Sequence, residues 1–391
     1  MMPSSAPLHV LHVDSGQEWQ AVRDQVRLLI QGLREDPQIR QAVATHGSSR
    51  LAAECRDLGI PVIPLPWAAG NDPRPLRELA RHARDGWDVY HAHDKTALAI
   101  VLYIQALVGS DASLVASRRH SAPPMATGRW HRSDVVLAVS EPARDALVRA
   151  GIERRRVVVV PNCVVAEEFN DVPDGILREA VGAQPGHELV ASFTGLLPHR
   201  DHETLIRAAG MLGERQPQTR FVVLGRGPER ERLEDLIADA NLGGRVCLPG
   251  FLADARQYMR ELSVFVMPSL EPEVTSACLE AMAAGIPVIM PAGSNSRPAP
   301  TAATAVPPRD PEALADAIHR LLSDAEYRRS VIAEGREYAL RFGPPALVRR
   351  TVEAYRAVSR HRSRRELGST RAVHVVASST DRTERNAETS G

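Results

Sequence analysis

Glu273-Val-Thr-Ser-Ala-Cys-Leu-Glu280-Ala-Met-Ala-Ala-Gly-Ile-Pro-Val-Ile289 gives the clearest indication of the fold class of this protein. It follows an apolar run, Val264–Met267, and predicts an acidic loop, a helix that ends near Gly285 and a second buried strand. Polar groups therefore gather at the carboxyl end of the first strand. Ligands of open α/β sheets bind in that place.

The start of the predicted helix suits a phosphate. Thr275 and Ser276 are at the positions where N-cap residues are expected, so free backbone N–H groups should face the loop. Glu280 lies about one turn further into the helix, where its carboxylate could accept hydrogen bonds from hydroxyl groups.

The rest of the chain alternates short β-branched runs with longer helical patterns. This alternation predicts βαβ units, parallel sheets and an α/β fold with two doubly wound halves in series, with the ligand cleft between them. The clearest helix is Trp19–Leu33, with an apolar face of Val22, Val26, Leu29 and Leu33. The predicted strands are 8–13, 39–45, 61–65, 88–91, 113–116, 135–139 and 157–160 in the first half, and 189–194, 220–224, 245–248, 264–267 and 287–289 in the second.

Composition shifts predict the domain boundaries. A polar stretch with Pro173, Gly175, Pro185 and Gly186 indicates an interdomain connection. The tail beyond Gly368 is polar, and we expect it to be disordered. The predicted units are a first Rossmann-like domain at 1–170, a linker at 171–188, a second Rossmann-like domain at 189–345, a helix returning to the first domain at 346–365 and a disordered tail at 366–391.

Bulk composition excludes several classes of protein. The 391 residues suffice for two domains, and a formal net charge of +0 gives no basis for nucleic acid as a partner. The four cysteines have no metal or redox spacing, which favours reduced thiols and a cytoplasmic protein. No signal peptide and no apolar run of about 20 residues is evident. The basic run 360–365 leaves contact with the inner membrane face open, although a solvated helix end is favoured.

Five motifs follow one another in the second half of the chain. They are 194–202, with Gly195 and Arg200; 222–230, with Gly225 and Gly227; 245–251; 266–269 with 279–288; and 310–322 with the later Tyr355. Looser motifs in the first half are His91-Ala92-His93-Asp94, Ala138-Val139-Ser140 and Val159-Val160-Pro161-Asn162. In this order the motifs resemble the family-4 glycosyltransferases, which have the GT-B fold of two facing Rossmann-like domains.

The resemblance implies a nucleotide-sugar site in the second half. The helix start at Thr275 and Ser276 would hold the donor diphosphate, with Glu280 on the ribose hydroxyls and Gly195, Gly225 and Gly227 in turns near the nucleotide. The alternative for Glu280 is a solvent-facing helix residue. The third glycine of a dinucleotide fingerprint is replaced by Arg230, which disfavours NAD.

Two catalytic positions in this half depart from the family pattern. Arg200 stands where the family has Lys and would neutralise the departing diphosphate, whereas the family's preceding Arg is replaced by Leu196. His199 and Arg226 are candidates to compensate. The family's sugar-binding acid corresponds to Pro272, so Glu271 or Glu273 takes that role, with Glu273 on the shorter path to the helix.

In the first half the resemblance implies acceptor binding. Gly16 lies in the loop after the first strand, and Ala21-Val22 replaces the family's Gly-Gly. His120 matches the family's sugar-contacting His, which makes it a catalytic candidate, and Arg118-Arg119 would bind an anionic acceptor or form a basic loop. His93 could contact the acceptor, but strand alternation predicts that only one of His91 and His93 faces the cleft, and no further metal ligand is evident.

The resemblance therefore implies a retaining glycosyltransferase that moves a sugar from a nucleotide-diphosphate sugar to a glycan or lipid-linked acceptor. In the family the donor phosphate helps to deprotonate the acceptor, so no metal and no cofactor are expected. One alternative is a nucleotide-sugar-binding protein of the same fold that has lost its transferase activity. A nucleotide-sugar epimerase is a further alternative, but its catalytic groups have no clear counterparts here.

Overall fold

The computed structural model describes most of the chain. Side chains are described throughout these parts except at 21–22 and 360–368. The described residues are 7–16, 21–66, 73–119, 128–170, 175–252, 256–270, 274–292 and 302–368.

The first half forms a seven-stranded parallel sheet in the order β3-β2-β1-β4-β5-β6-β7. All the strands predicted from the sequence in this half are present. They are β1 (Leu8–Val13), β2 (Ile39–His46), β3 (Val62–Leu65), β4 (Val89–Ala92), β5 (Ser113–Arg118), β6 (Val135–Ala138) and β7 (Val157–Val159). The helices between them are α1 (Ala21–Leu33), α2 (Arg50–Asp57), α3 (Arg74–His82), α4 (Lys95–Val108) and α5 (Glu141–Arg149).

Both faces of this sheet are covered, which explains its continuous apolar strands. Every residue of β4 and of β5 is buried, as expected for parallel strands with helices on both sides. The predicted apolar face of α1 is confirmed at Val26, Leu29 and Leu33, which are all inaccessible to solvent. That face lies in the core, and the polar residues Asp24 and Gln25 of α1 are buried as well.

The second half repeats the architecture with a six-stranded parallel sheet in the order β10-β9-β8-β11-β12-β13. The five strands predicted here are present, while Thr304–Val306 is an additional edge strand. The strands are β8 (Glu188–Phe193), β9 (Thr219–Leu224), β10 (Val246–Gly250), β11 (Val264–Val266), β12 (Val288–Pro291) and β13 (Thr304–Val306). The helices are α6 (Ile176–Ala180), α7 (His202–Leu212), α8 (Arg230–Asp239), α9 (Arg256–Met259), α10 (Ser276–Ala284), α11 (Pro311–Ser323) and α12 (Ala325–Leu340).

The last helix, α13 (Pro344–Gly368), packs on the first sheet. Tyr355 and Leu347 of α13 are buried in one cluster with Val10 and Val115 of the first sheet. The hydroxyl of Tyr355 also lies 2.6 Å from Nδ1 of His91 on β4. The last helix therefore packs against the first half of the protein. The exact domain boundaries stay a prediction. The tail beyond 368 lies outside the described residues.

The α/β prediction of two doubly wound sheets is confirmed. The polar stretch expected to be a linker contains α6, whose first N–H groups are capped by the buried carboxylate of Glu261 at 2.9 and 2.8 Å. In the described part of the chain, no helix combines the length and apolar character needed to cross a bilayer.

Candidate functional site

The carboxyl ends of β8 and β11 lie side by side in the middle of the second sheet. The loop after β8 carries Arg200, and the segment after β11 leads to α10. The N–H of Leu270 donates to the carbonyl of His199 at 2.9 Å, which joins the two segments directly. Parallel strand order therefore brings the predicted cation and the predicted phosphate site to one edge.

Arg200 is held in place by its own loop. It ends a short 3₁₀ turn, Pro198–Arg200, and its Nη1 donates to the Ser269 hydroxyl at 3.3 Å. Ser269 is inaccessible to solvent, so this contact ties the guanidinium to the segment that follows β11. Its side chain is only partly buried, which leaves the cation within reach of a ligand at this edge.

Gly225 and Gly227 allow two loops to approach closely. A Cβ on Gly225 would lie 2.0 Å from the Thr194 carbonyl oxygen, and one on Gly227 would lie 2.1 Å from that of Leu196. The N–H of Leu196 donates to the Arg226 carbonyl at 3.0 Å across the same contact. Because backbone atoms fill the space, only glycine fits at these two positions. They shape the loop that carries Arg200.

His202 contacts the start of the same loop through its ring. Its Nε2 lies 3.1 Å from the Thr194 hydroxyl and 3.3 Å from the Gly195 carbonyl oxygen. Burial lowers the pKa of His202 to about 4, so the ring is neutral at physiological pH. Sequence reasoning did not assign this residue a role, although its place one residue after Asp201 in the matched motif was a usable signal.

Leu196 is a core residue. Its side chain is inaccessible to solvent and packs in the cluster of α7, β9 and β11. Of the two residues expected to compensate for the missing cation, Arg226 is exposed and lies over the Phe251 ring, 5.0 Å from its centroid. His199 is partly exposed on the Arg200 turn. Arg200 is therefore the cation that the loop ties to the segment after β11.

The start of α10 has the predicted cap. Thr275 has extended backbone angles, and its hydroxyl accepts a hydrogen bond from the Cys278 N–H at 3.4 Å. The helix itself begins at Ser276 and ends at Gly285, whose φ of 78° is left-handed. The first N–H groups of a helix have no acceptor in the preceding turn, so this end offers donors and a positive dipole to an anion.

Glu280 is buried, with 7% exposure, on the inner side of α10. The reading of Glu280 as a solvent-facing residue is therefore wrong. A carboxylate can accept charge-assisted hydrogen bonds from the two hydroxyls of a vicinal diol. Burial at this edge fits the role in ribose binding that the resemblance implies, and that role stays a prediction.

The edge of the first sheet collects the residues predicted to bind the acceptor. Gly16 follows β1, His93 follows β4, Arg118 is the last residue of β5 and Arg119 follows it; these three strands are neighbours. Gly16 is buried, and a Cβ there would overlap the Arg23 side chain. The Gly16 N–H donates to Asp14 at 3.2 Å, so the loop packs against its own side chains.

Asp14 and Asp94 order this edge. Asp94 accepts from the N–H and hydroxyl of Ser15, both at 2.7 Å, and also caps α4. Asp14 lies 3.5 Å from Arg23, and burial raises the pKa of its carboxyl to about 6. Sequence reasoning missed both acids as a pair, because their proximity depends on the β1–β4 pairing.

Three histidines converge beneath this edge. His12 and His91 are paired residues on β1 and β4, and Nδ1 of His12 lies 2.9 Å from Nε2 of His93. One nitrogen from each ring lies within 4.8 Å of the others. Burial lowers the pKa of His12 to about 3 and lowers the pKa of His91 and of His93 as well.

This cluster corrects two predictions. His91 and His93 do not diverge, because side chains two residues apart along an extended strand project to the same face of the sheet, and the His93 N–H continues the ladder by donating to the Val13 carbonyl at 3.0 Å. Their ring centroids lie 4.0 Å apart. The statement that no further ligand converges on them is also wrong, since His12 does. Both nitrogens of His91 already have partners, however: the Tyr355 hydroxyl at 2.6 Å and the Ser117 hydroxyl at 2.7 Å.

Arg118 and Arg119 are both buried, with 4% and 9% exposure. Neither side chain is solvated, and the choice between acceptor binding and a basic loop stays a prediction. The guanidinium of Arg118 lies 5.7 Å from the centroid of the Trp130 ring. Arg119 lies beside the histidine cluster, and its charge contributes to the lowered pKa of His91 and of His93.

Two predicted catalytic residues, Glu273 and His120, lie outside the described residues, as do Glu271 and Pro272. Side chains of Ala21 and Val22 are likewise not described. The roles assigned to these positions stay predictions.

Two family models match the chain in succession. The model described as "Glycosyltransferase Family 4" matches residues 17–168, and the model described as "Glycosyl transferases group 1" matches residues 175–338. The boundary between the matches coincides with the polar stretch between the two sheets. Together the matches cover both sheet edges described above.

Curated relatives are similar over parts of the chain. A 2-deoxystreptamine glucosyltransferase of Streptomyces kanamyceticus is 29% identical over 42% of this chain and 44% of its own length. A D-inositol 3-phosphate glycosyltransferase of Kribbella flavida is 28% identical over 71% of this chain and 68% of its own length. The chain thus spans less than half the length of the first of these relatives.

Solved structures share the fold over most of the chain. The Anabaena protein Alr3699/HepE, crystallised with UDP-glucose, has a TM-score of 0.74 at 19% identity, covering 90% of this chain and 100% of the other. A sucrose-phosphate synthase from Thermosynechococcus elongatus has a TM-score of 0.68 at 20% identity, covering 90% and 99%. At these identities the likeness concerns the arrangement of the two sheets.

Proposed function

Because the chain belongs to the family-4 glycosyltransferases of the GT-B fold, we propose that it transfers a sugar from a nucleoside-diphosphate sugar to an acceptor hydroxyl group. The observation that carries this proposal is the edge of the second sheet. There Arg200, the capped start of α10 and the buried Glu280 occur together. A nucleoside diphosphate presents the matching groups, two phosphates and a vicinal diol.

Each group has a separate task in donor binding. The N–H groups at the start of α10 bind the diphosphate, and the Glu280 carboxylate accepts hydrogen bonds from the ribose hydroxyls. Binding of UDP-glucose by the structurally similar Anabaena protein supports a nucleotide sugar as the donor. The identity of the base and of the sugar is left to experiment.

In the proposed reaction the acceptor oxygen forms a bond to the anomeric carbon while the bond from that carbon to the diphosphate oxygen breaks. The acceptor proton passes to the departing diphosphate, so the products are the glycoside and the nucleoside diphosphate. The configuration at the anomeric carbon is retained, as the family resemblance implies. Arg200 stabilises the negative charge that builds on the leaving group, which is the main electrostatic task of this step.

The proposed reaction uses no metal. Arg200 and the helix dipole supply the positive charge that a divalent cation would otherwise provide. At the histidine cluster of the first sheet, His91 donates and accepts through both ring nitrogens within the protein. The acceptor is proposed to be a glycan or a lipid-linked glycan that enters along the edge of the first sheet.

The direct test is transfer of radiolabelled sugar from a panel of UDP and GDP sugars. Glu280→Gln keeps the shape of the side chain but removes its charge, so we expect the KM for the donor to rise about 10-fold or more, because hydrogen bonds to a charged group contribute roughly 1.5–3 kcal/mol. Glu231→Gln on the exposed face of α8 is the matched control and should leave KM unchanged. Unaltered donor KM in Glu280→Gln would sink the assigned role.

A specific observation favours a second candidate, a nucleotide-sugar-binding protein without transferase activity. Leu196 is packed into the core, so the second cation of the family pattern has no equivalent at that position. Calorimetry on the same donor panel separates the candidates. Binding without turnover supports the second candidate, and binding of none of the nucleotides contradicts both.

A further inference from the structure

Arg119 is a buried cation whose charge the described protein does not pair. It immediately follows β5, and its side chain has 9% exposure. Within the described ranges, Nε and both Nη atoms of its guanidinium are buried without a hydrogen-bond partner. Burial lowers the pKa of Arg119, which shows that the surroundings disfavour its charge.

Two partly buried arginines in the described part of the chain, Arg27 and Arg256, are paired with carboxylates, which Arg119 is not. Arg27 donates to Asp24 at 2.8 Å and to Glu168 at 2.7 Å. Arg256 lies 3.1 Å from the same Asp24. The groups that act electrostatically on Arg119 are the Cys163 thiol and the Tyr355 hydroxyl, neither of which carries a charge at neutral pH. A buried charge with no counterion is costly, and native proteins retain one where a ligand supplies the counterion.

A second polar group beside Arg119 is also unpaired. Nδ1 of His93 is buried and has no hydrogen-bond partner in the described part of the chain. Its other nitrogen, Nε2, contacts Nδ1 of His12 at 2.9 Å. When His12 donates in that contact, Nδ1 of His93 carries the remaining proton and is a donor. Arg119 and His93 lie at the ends of adjacent strands. Both thus present N–H donors, and neither side chain carries a negative charge.

The place of these donors identifies the ligand. The ends of β4 and β5 belong to the edge of the first sheet, whereas the proposed donor site around α10 belongs to the edge of the second sheet. We propose that Arg119, with His93 beside it, binds an oxyanion carried by the acceptor, either a phosphate monoester or a carboxylate. The identification of the ligand as the acceptor substrate rests on the proposed function, whereas the anion-binding site itself does not.

A metal ion in the histidine cluster is the competing occupant. The positive charge of Arg119 acts on His91 and His93, so it opposes a cation at the same place. A guanidinium, by contrast, matches a phosphate or carboxylate through paired N–H groups. The observations therefore favour an anion, and metal binding is an outcome of the test.

The first experiment measures anion binding by thermal shift, using inorganic phosphate and acetate at constant ionic strength. Saturating nucleoside diphosphate is present throughout, so that the donor edge is filled. The wild-type Tm should rise with at least one of the two anions. Arg119→Met should abolish that rise, or weaken the apparent affinity at least about 10-fold, because paired hydrogen bonds between ions are lost. Arg155→Met, at a side chain with 81% exposure, is the control and should respond like the wild type.

Stability of the variant adds an independent readout. Without added anion, Arg119→Met should melt at the same temperature as the wild type or higher, because an unpaired buried charge is replaced by an apolar side chain. If Arg119→Met does not fold, Arg119→Lys replaces it, and weaker anion binding is expected because a fork becomes a point charge. Equal anion responses in the wild type and the Arg119 variant, or no response to either anion, would overturn the site. A Tm rise with Zn²⁺ that needs His12 and is absent with both anions would do the same.

The second experiment compares transfer to a neutral sugar, its phosphate monoester and its uronate. The wild type should prefer one of the two anionic acceptors by about 10-fold in kcat/KM, and Arg119→Met should lose that preference, whereas the control Arg155→Met should keep it. Absence of transfer to every acceptor together with an Arg119-dependent anion response contradicts the proposed function and leaves the anion site standing. Transfer with the same acceptor preference in both proteins contradicts the anion site alone.

Discussion

The two sheet edges of this protein satisfy their polar groups in opposite ways. At the edge of the second sheet, Arg200 contacts Ser269, Thr275 caps its helix, and His202 bonds the loop before Arg200. At the edge of the first sheet, Arg119 and one nitrogen of His93 are buried without such partners in the described chain. The first arrangement is a prebuilt frame for a ligand, whereas the second depends on a ligand to complete it.

Resemblance to the family is therefore informative where the protein itself fixes the geometry. The motifs of the second half correspond to observed contacts: glycine positions where backbones touch, a helix cap and a buried acid. The first half matches the family more loosely, and its most unusual features are the histidine cluster and Arg119. Changes at Arg200, at Gly225 and in pH test this comparison between the two sheet edges.

The largest effect is expected at Arg200. Arg200→Ala removes the cation tied to the segment after β11, and we expect kcat to fall about 10²–10³-fold, the usual loss when one group that stabilises transition-state charge is removed. Arg207→Ala, on the exposed side of α7, removes a cation nearby in sequence and should leave kcat unchanged. Steady-state kinetics with the best donor of the panel measures both. A kcat within about 3-fold of the wild type in Arg200→Ala would move leaving-group stabilisation to another residue.

The next effect tests whether the frame at the second edge is rigid. Gly225→Ala places a Cβ 2.0 Å from the Thr194 carbonyl oxygen, so the two loops must separate. We expect the free energy of unfolding to fall by about 2–3 kcal/mol, as for other overpacked sites. Gly243→Ala is the matched control, since a Cβ there meets nothing within 4 Å. Chemical denaturation gives the free energy of unfolding of both variants. Equal values for the two would show that the loops can separate at little energetic cost.

The third effect depends on pH, and it is the smallest of the three over the first pH unit below 6.5. Burial lowers the pKa of His12 from 6.5 to about 3, so between these values the unfolded chain binds a proton that the native protein does not. The free energy of unfolding should therefore fall as the pH drops below 6.5, with His12 contributing about 1.4 kcal/mol per pH unit. Asp14 acts in the opposite direction between pH 4 and 6, because burial raises its pKa to about 6.

His12→Asn isolates this contribution. Its stability should depend less on pH than that of the wild type between pH 6.5 and 4, and His46→Asn on the partly exposed end of β2 serves as the control. Denaturation curves at four or more pH values provide the slopes. Parallel slopes for the wild type and His12→Asn would mean that His12 is protonated in the native protein.

The fold was largely predictable from the sequence. Apolar runs separated by helical patterns predicted all the strands except β13, which has only three residues and lies near a proline-rich stretch. The helix α12 was also missed, although Asp324, which caps it, is a recognisable start signal. Periodicity works for these elements because burial on both faces of a parallel sheet leaves few alternatives.

The candidate site was predictable only in part. The cap at Thr275 and the acid at Glu280 follow from local spacing along one helix. The convergence of His12 with His91 and His93 depends on the pairing of β1 with β4, which brings together residues far apart in sequence. Whether Arg119 has a carboxylate counterion depends on its neighbours in the folded protein, and no local sequence pattern predicts those neighbours.

We expect the edge of the second sheet to bind a nucleoside diphosphate, and a crystal structure with the tightest-binding donor nucleotide would show where it lies. The diphosphate should lie against the N–H groups at the start of α10, with Arg200 beside it and the ribose hydroxyls on Glu280. A nucleotide bound at the edge of the first sheet, or bound at the second edge with its ribose away from Glu280, would contradict the account.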